Sequence, residues 1–292
     1  MSLIRCGNKL PGLVSLLWIL LTSTAFGAGI VDEVRTGERL PASENGGFFE
    51  LGVNLTVGRG ISEKLDPDKS NAAAFGLGVA LGAGYRYNRL FFEASESGVD
   101  GLNLGFSLYE SRQWSVDLLL ANTAGSLQLD SGNSDPSDTE VEKNRALLER
   151  DDLYIAAGTR ITGYFGESIV QLRLVSDWYD GNGILGSLRA GRQWQRGNWN
   201  LQAIGGVRFH SATFNDYLHG VDADEQTNRF QAYKAGSAVI PEVELGASIP
   251  VNEDWVFRGR LQFRQIPDSI EDSPLVAHGE AGTLTLGLHY VF

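Results

Sequence analysis

Glu242 and Glu244 stand two residues apart, as do Arg258 and Arg260, with Arg264 four residues further on. Even spacing puts side chains on one face of an extended strand. Opposite charges on neighbouring strands can then pair with each other or line a wet passage that selects ions. Glu50, Arg86, Glu93, Asp117, Arg160, Arg173, Arg189 and Arg208 share the pattern, each out of phase with a nearby run of apolar residues. Covalent chemistry finds less support. A serine–histidine pair on one strand face needs a spacing of two, whereas His210 and Ser211 are adjacent and point to opposite faces. Asp216, His219, Asp222, Asp224 and His278 are residue types that a protease rim would use, but only their type recommends them. The run Asp130 to Asp138 carries carboxylates near Gly132 and Asn133 that a weak calcium site would need. It lacks the spacing and closing glutamate of an EF-hand and reads as a solvated loop. The expectation is no catalytic residue, no cofactor and no metal ligand.

The elements that must position these charges are strands. From Leu284 the chain alternates to its last residue, with Leu284, Leu286, Leu288, Tyr290 and Phe292 on one face and Thr283, Thr285, Gly287 and His289 on the other. Such a strand has lipid on one side and a polar interior on the other. The ending Leu288, Tyr290, Phe292 resembles the assembly signal that the barrel insertion machinery reads at the C-terminus of bacterial outer-membrane barrels. The same pattern recurs over Phe49 to Val57, Phe75 to Tyr87, Leu90 to Ala94, Leu102 to Leu108, Trp114 to Leu120 and Leu153 to Ile161. It continues over Val170 to Leu174, Ile184 to Trp194, Trp199 to Phe209, Val239 to Ile249 and Trp255 to Phe263. Reading Leu90 to Leu108 as one bent strand would make the count odd, so it is split at Gly98 to Gly101. The expected fold is all-β, a transmembrane antiparallel β-barrel of about 12 strands, an even number as single-chain bacterial barrels require. Short turns near Asn88, Ser111, Gly166, Gly197 and Asn252 alternate with outer connections that include Gly58 to Ala72, Leu129 to Asp151, Phe214 to Ala235 and Ile266 to Gly279. That alternation fits periplasmic turns and outer loops.

The N-terminus places the chain in the export pathway. Arg5 and Lys9 precede an apolar run, Leu13 to Leu21, and then small residues to Ala28, which reads as a cleavable signal peptide over residues 1–27. Residues 28–46 form an expected periplasmic lead-in and residues 47–292 the barrel. Cys6, the single cysteine, lies ahead of the apolar run, so the processed chain is expected to carry no thiol, disulfide or cysteine metal site. Loss of Arg5 and Lys9 takes the net charge from −12 to −14, which argues against nucleic acid as a partner. Composition alone would mislead: 42% apolar residues look soluble, because a barrel hides its hydrophobicity in alternation.

The interior is expected to carry Arg173, Arg208, Glu242, Glu244, Arg258, Arg260 and Arg264 among its charges, since such residues would be prohibitive toward lipid. They make either a charged channel or a set of cross-strand ion pairs that plugs a narrow barrel. The presence of both signs favours the plug. Gly76, Gly78, Gly82 and Gly84 on the same face of one strand leave room for large side chains opposite or for an inserted segment.

Phe214-Asn-Asp-Tyr-Leu-His-Gly-Val221, then Glu225 and Ala232-Tyr-Lys-Ala-Gly236, resemble the characteristic loop of the MipA/OmpV family, the MltA-interacting proteins of Gram-negative outer membranes. The Trp255 strand, Asp272-Ser-Pro-Leu275 and Tyr290-Val-Phe292 follow in the family's order. The resemblance covers residues 150 to 292 well, whereas Arg59 to Ser70 replaces the family's usual pattern with charge. It implies an outer-membrane location and, in some members, a scaffold joining a lytic transglycosylase to a penicillin-binding protein. Other members are associated with adhesion or with entry of small molecules, so scaffold, porin-like channel and adhesin all stand as readings. No catalytic residue is implied.

Overall fold

The computed structural model describes residues 45–59, 74–94, 102–122, 139–148, 155–177, 181, 183–276 and 279–292. The expected signal peptide, nearly all of the lead-in, the charged segment 60–70 and the carboxylate run 130–138 lie outside them. The described chain forms twelve antiparallel strands: β1 (Gly46–Arg59), β2 (Ala74–Tyr87), β3 (Leu90–Ala94), β4 (Leu102–Glu110), β5 (Trp114–Asn122), β6 (Ile155–Phe165), β7 (Ser168–Asp177), β8 (Ile184–Arg196), β9 (Trp199–His210), β10 (Ala238–Pro250), β11 (Trp255–Gln265) and β12 (Glu280–Val291). Each pairs with its sequence neighbours, and β12 returns to β1, closing the barrel. Closure leaves no strand edge unpaired, as a hydrocarbon surround demands.

Alternation builds each wall. On β7, Val170, Leu172 and Leu174 face outward while Gln171, Arg173 and Val175 are buried inside. On β2 the outward Leu77 and Val79 are each 74% exposed, a degree of apolar exposure that only lipid makes tolerable. The strands run past the apolar stretches that announce them, because ladder hydrogen bonds continue through the polar residues at their ends. One irregularity breaks the phase. A register shift between Ser107 and Tyr109 places both Leu108 and Tyr109 on the outside.

The turns at one end are tight. Asn88, Gly166 and Gly197 all adopt positive φ (54°, 64° and 59°), the conformation that matches a short hairpin turn to strand twist. At this rim Trp255 packs edge-on against Tyr290 at 5.2 Å, Tyr290 against Phe292 at 4.6 Å, and Phe292 against Phe49 at 5.4 Å. The Phe292 amide also donates to the Phe49 carbonyl at 2.9 Å, so the last residue fastens the β12–β1 seam. Deleting Phe292 is expected to reduce the heat-modifiable barrel recovered from outer membranes, measured by gel mobility with and without boiling. Unchanged yield and mobility would make the terminal aromatic incidental to assembly.

The opposite rim carries, among the described residues, three helices: α1 (Glu140–Leu148), α2 (Ala212–His219) and α3 (Asp268–Glu271).

Candidate functional site: a charged interior beneath an interlocked cap

Inside the wall, charges from different strands converge. Arg160 on β6 reaches Glu93 on β3 with two hydrogen bonds, 2.8 and 2.9 Å, and Asp117 on β5 with two more, both 3.1 Å. All three side chains are buried. Ser107 donates to Asp117 at 2.8 Å and accepts from Arg86 at 2.9 Å, extending the network to β2. The Phe91 ring lies between Arg86 and Arg160, with guanidinium carbons 5.1 and 5.0 Å from its centre. It can lie flat only because its neighbour is Gly105, where a Cβ would come 1.9 Å from the ring. Arg173 donates to Asn103 at 2.8 Å.

The second cluster corrects the sequence expectation. Parity alone sets Arg258, Arg260 and Arg264 beside Glu242 and Glu244. The register keeps Glu242 opposite Arg264 but puts Glu244 opposite Gln262, Gly246 opposite Arg260 and Ser248 opposite Arg258. Arg258 therefore crosses β12 past Gly287 and binds Glu50 of β1 in a two-pronged salt bridge, one arm 2.7 Å long. Glu242 serves Arg208 at 2.7 Å and approaches Arg189 at 3.9 Å. Glu244 is held by amides, from Gln262 at 2.6 Å and Gln202 at 3.5 Å. Of the β2 glycines, Gly82 makes room for the Glu50 carboxylate, whereas Gly76 and Gly78 face open space. Cavities of about 40, 20 and 10 Å³ remain between these side chains, space for single waters or a small group.

Toward the outer rim the inner face turns apolar, which sequence reading did not anticipate. Ala121, Ala156, Val175 and Leu185, from four consecutive strands, enclose Phe214 of α2, which is 2% exposed. Ser211 caps that helix, accepting from the Phe214 amide at 3.2 Å and from the Ile184 amide at 2.9 Å. Asn215, fully buried, accepts from His210 Nδ1 at 3.0 Å and donates to the Gly236 carbonyl. A second apolar cluster, Leu147, Val221, Phe230 and Leu275, joins three outer connections. Polar ties surround it: Thr227 to Asn144 at 2.6 Å, Asn228 to Glu140 at 2.7 and 2.9 Å, Tyr233 to the Ser269 carbonyl at 3.0 Å and Ser273 to the His219 carbonyl at 2.6 Å. The motif residues Phe214 to Val221 and Ala232 to Gly236 thus build a cap that packs onto the inner face of β5 to β8 and ties to the other outer connections. The signal that could have revealed it was Val175 and Leu185, apolar residues in the inward phase.

Four of the residues singled out for hydrolysis are occupied structurally. His210 is tied to Asn215, Ser211 is a helix cap, His219 is buried within the cap, and Asp222 pairs with Lys234. His278 lies outside the described residues.

A closed antiparallel barrel with an apolar outer belt, a charged interior and short turns at one rim is an outer-membrane barrel. The chain belongs to the family described as MltA-interacting protein MipA, whose model matches residues 55–292. Similar proteins include the "Putative outer membrane protein YiaT" of Escherichia coli O157:H7, 26% identical over 243 residues, which are 77% of this chain and 95% of that protein. The MltA-interacting protein of Escherichia coli strain K12 is 25% identical over 138 residues, 47% of this chain and 56% of that protein. Among solved structures, a bacterial polysaccharide outer membrane secretin aligns over 84% of this chain and 98% of its own, with 10% identity and a TM-score of 0.41.

Proposed function

We propose that the protein is a plugged outer-membrane anchor that acts as a scaffold for peptidoglycan-remodelling enzymes at its periplasmic rim. The observation that supports this reading is the pairing of charges along the inner wall. Arg160 with Glu93 and Asp117, Arg258 with Glu50, and Arg208 with Glu242 pair along the inner wall, and the cap packs onto that wall at its outer end. A barrel closed at two levels has little use as an open pore and retains two rims as its working surfaces.

The periplasmic rim supports an association of mixed charge. Arg89, Arg112, Arg196, Glu253 and Asp254 stand exposed on its turns, and Arg192 pairs with Glu167 at 3.2 Å. The name of the Escherichia coli relative, MltA-interacting protein, agrees with a lytic transglycosylase as partner; a penicillin-binding protein is the second partner in this reading. Affinity capture of the full-length protein from cross-linked envelopes, read by mass spectrometry, should enrich murein hydrolases or synthases over an unrelated barrel of equal abundance. Absence of every murein enzyme, together with steady conductance of the purified barrel in planar bilayers, would replace the scaffold with the channel.

A further inference from the structure

Arg260 differs from most inner arginines. Arg86, Arg160, Arg173, Arg189, Arg208 and Arg258 each hold a carboxylate, amide or hydroxyl partner. Arg260 forms neither a hydrogen bond nor a salt bridge among the described residues, and its register partners are Gly246 and Thr285. Arg264 likewise lacks a direct salt bridge, but it faces Glu242 across the ladder and shares a cavity with Glu242 and Glu244. The cavity at Arg260, about 40 Å³, contains no carboxylate in its lining.

Its polar lining is the Asn54 amide together with a set of side chains able to donate. Arg258, Ser248, Gln202, Thr285 and His289 surround Arg260. The Arg258 charge is already matched by Glu50, so the cavity holds one unmatched positive charge, that of Arg260. The His289 ring fits there because its flanking residues are Gly52 and Gly287. By the same measure a single water needs about 10–15 Å³, so the space suits one group of a few heavy atoms. Planar guanidinium donors are matched to carboxylate and phosphate oxygens.

We infer that the cavity at Arg260 is a binding site for a small oxyanion, either a free phosphate or the carboxylate or phosphate head of a solute. Arg260 supplies the charge, while Ser248, Thr285 and Gln202 orient the remaining oxygens. The Arg258–Glu50 salt bridge reaches from the cavity toward the periplasmic rim, because Glu50 pairs with Val291 whereas Arg258 pairs with Gly287. It forms the floor on that side.

The test uses the full barrel refolded in detergent and titrated with inorganic phosphate or with acetate, against chloride at matched ionic strength. Calorimetry should find saturable binding at one site per barrel for at least one of the two oxyanions. Phosphate alone, acetate alone, or both would each support the site and state its class. Arg260→Gln should weaken the affinity about tenfold or more, the loss expected for a charge-assisted contact. That variant strands no carboxylate, so it should fold as the parent does. Thr285→Val should weaken binding by a smaller factor, and Arg192→Gln, at the exposed rim, should leave it unchanged. Heat that fails to saturate, an equal response to chloride, or parental affinity in Arg260→Gln would overturn the proposal.

Discussion

Arg160→Met is expected to destabilise the refolded barrel by about 3–5 kcal/mol, because it leaves Glu93 and Asp117 buried with no cation between them. The two carboxylates come from strands two apart and are 4% and 3% exposed, so water cannot replace the guanidinium. Loss of the arginine also removes one of the two cations that flank Phe91. Denaturation in urea, followed by tryptophan fluorescence and by the heat-dependent gel shift, measures the change. A companion triple variant, Glu93→Leu with Asp117→Leu and Arg160→Met, separates two explanations. Replacing all three with apolar residues should recover most of the lost stability, since what costs energy is a broken charge set rather than the absence of one. A triple variant as unstable as the single one would mean that shape, not charge, holds this layer together.

Phe214→Ala should have a comparable local effect on the cap. Removing a large aromatic side chain from a packed site costs about 3–5 kcal/mol, and Phe214 is the residue that inserts among Ala121, Ala156, Val175 and Leu185. Protease added to intact cells should then cut between residues 211 and 237 where it spares the parent. Conductance in planar bilayers should nevertheless stay low, because the ion pairs of Arg160, Arg208 and Arg258 still occupy the inner wall beneath the cap. The two readouts test different levels of the plug. Steady current through the parent barrel would sink the plugged reading outright. Current that appears only in Phe214→Ala would put the whole barrier in the cap and leave the arginine clusters as a selectivity lining.

For most strand residues the side of the wall was legible in the sequence, because a strand has a period of two and lipid holds its apolar face outward. That rule placed Arg173, Arg208, Glu242, Glu244, Arg258, Arg260 and Arg264 on the face opposite the apolar belt, and it located the turns at Asn88, Gly166 and Gly197. Parity cannot say how high along the barrel a residue sits. Arg258 and Glu242 share a face on adjacent strands, yet register sets Arg258 opposite Ser248 and sends it across β12 to Glu50, 208 positions away in the chain. Partner choice follows from hairpin register and barrel closure, which are properties of all twelve strands together. The cap was hidden for a related reason: its contacts join Leu147, Phe230 and Leu275 from three separate connections, and no local periodicity records which loops meet. The sequence by itself determined a membrane barrel with charge inside; only the tertiary structure decided which charges neutralise one another and that Arg260 is left facing a cavity.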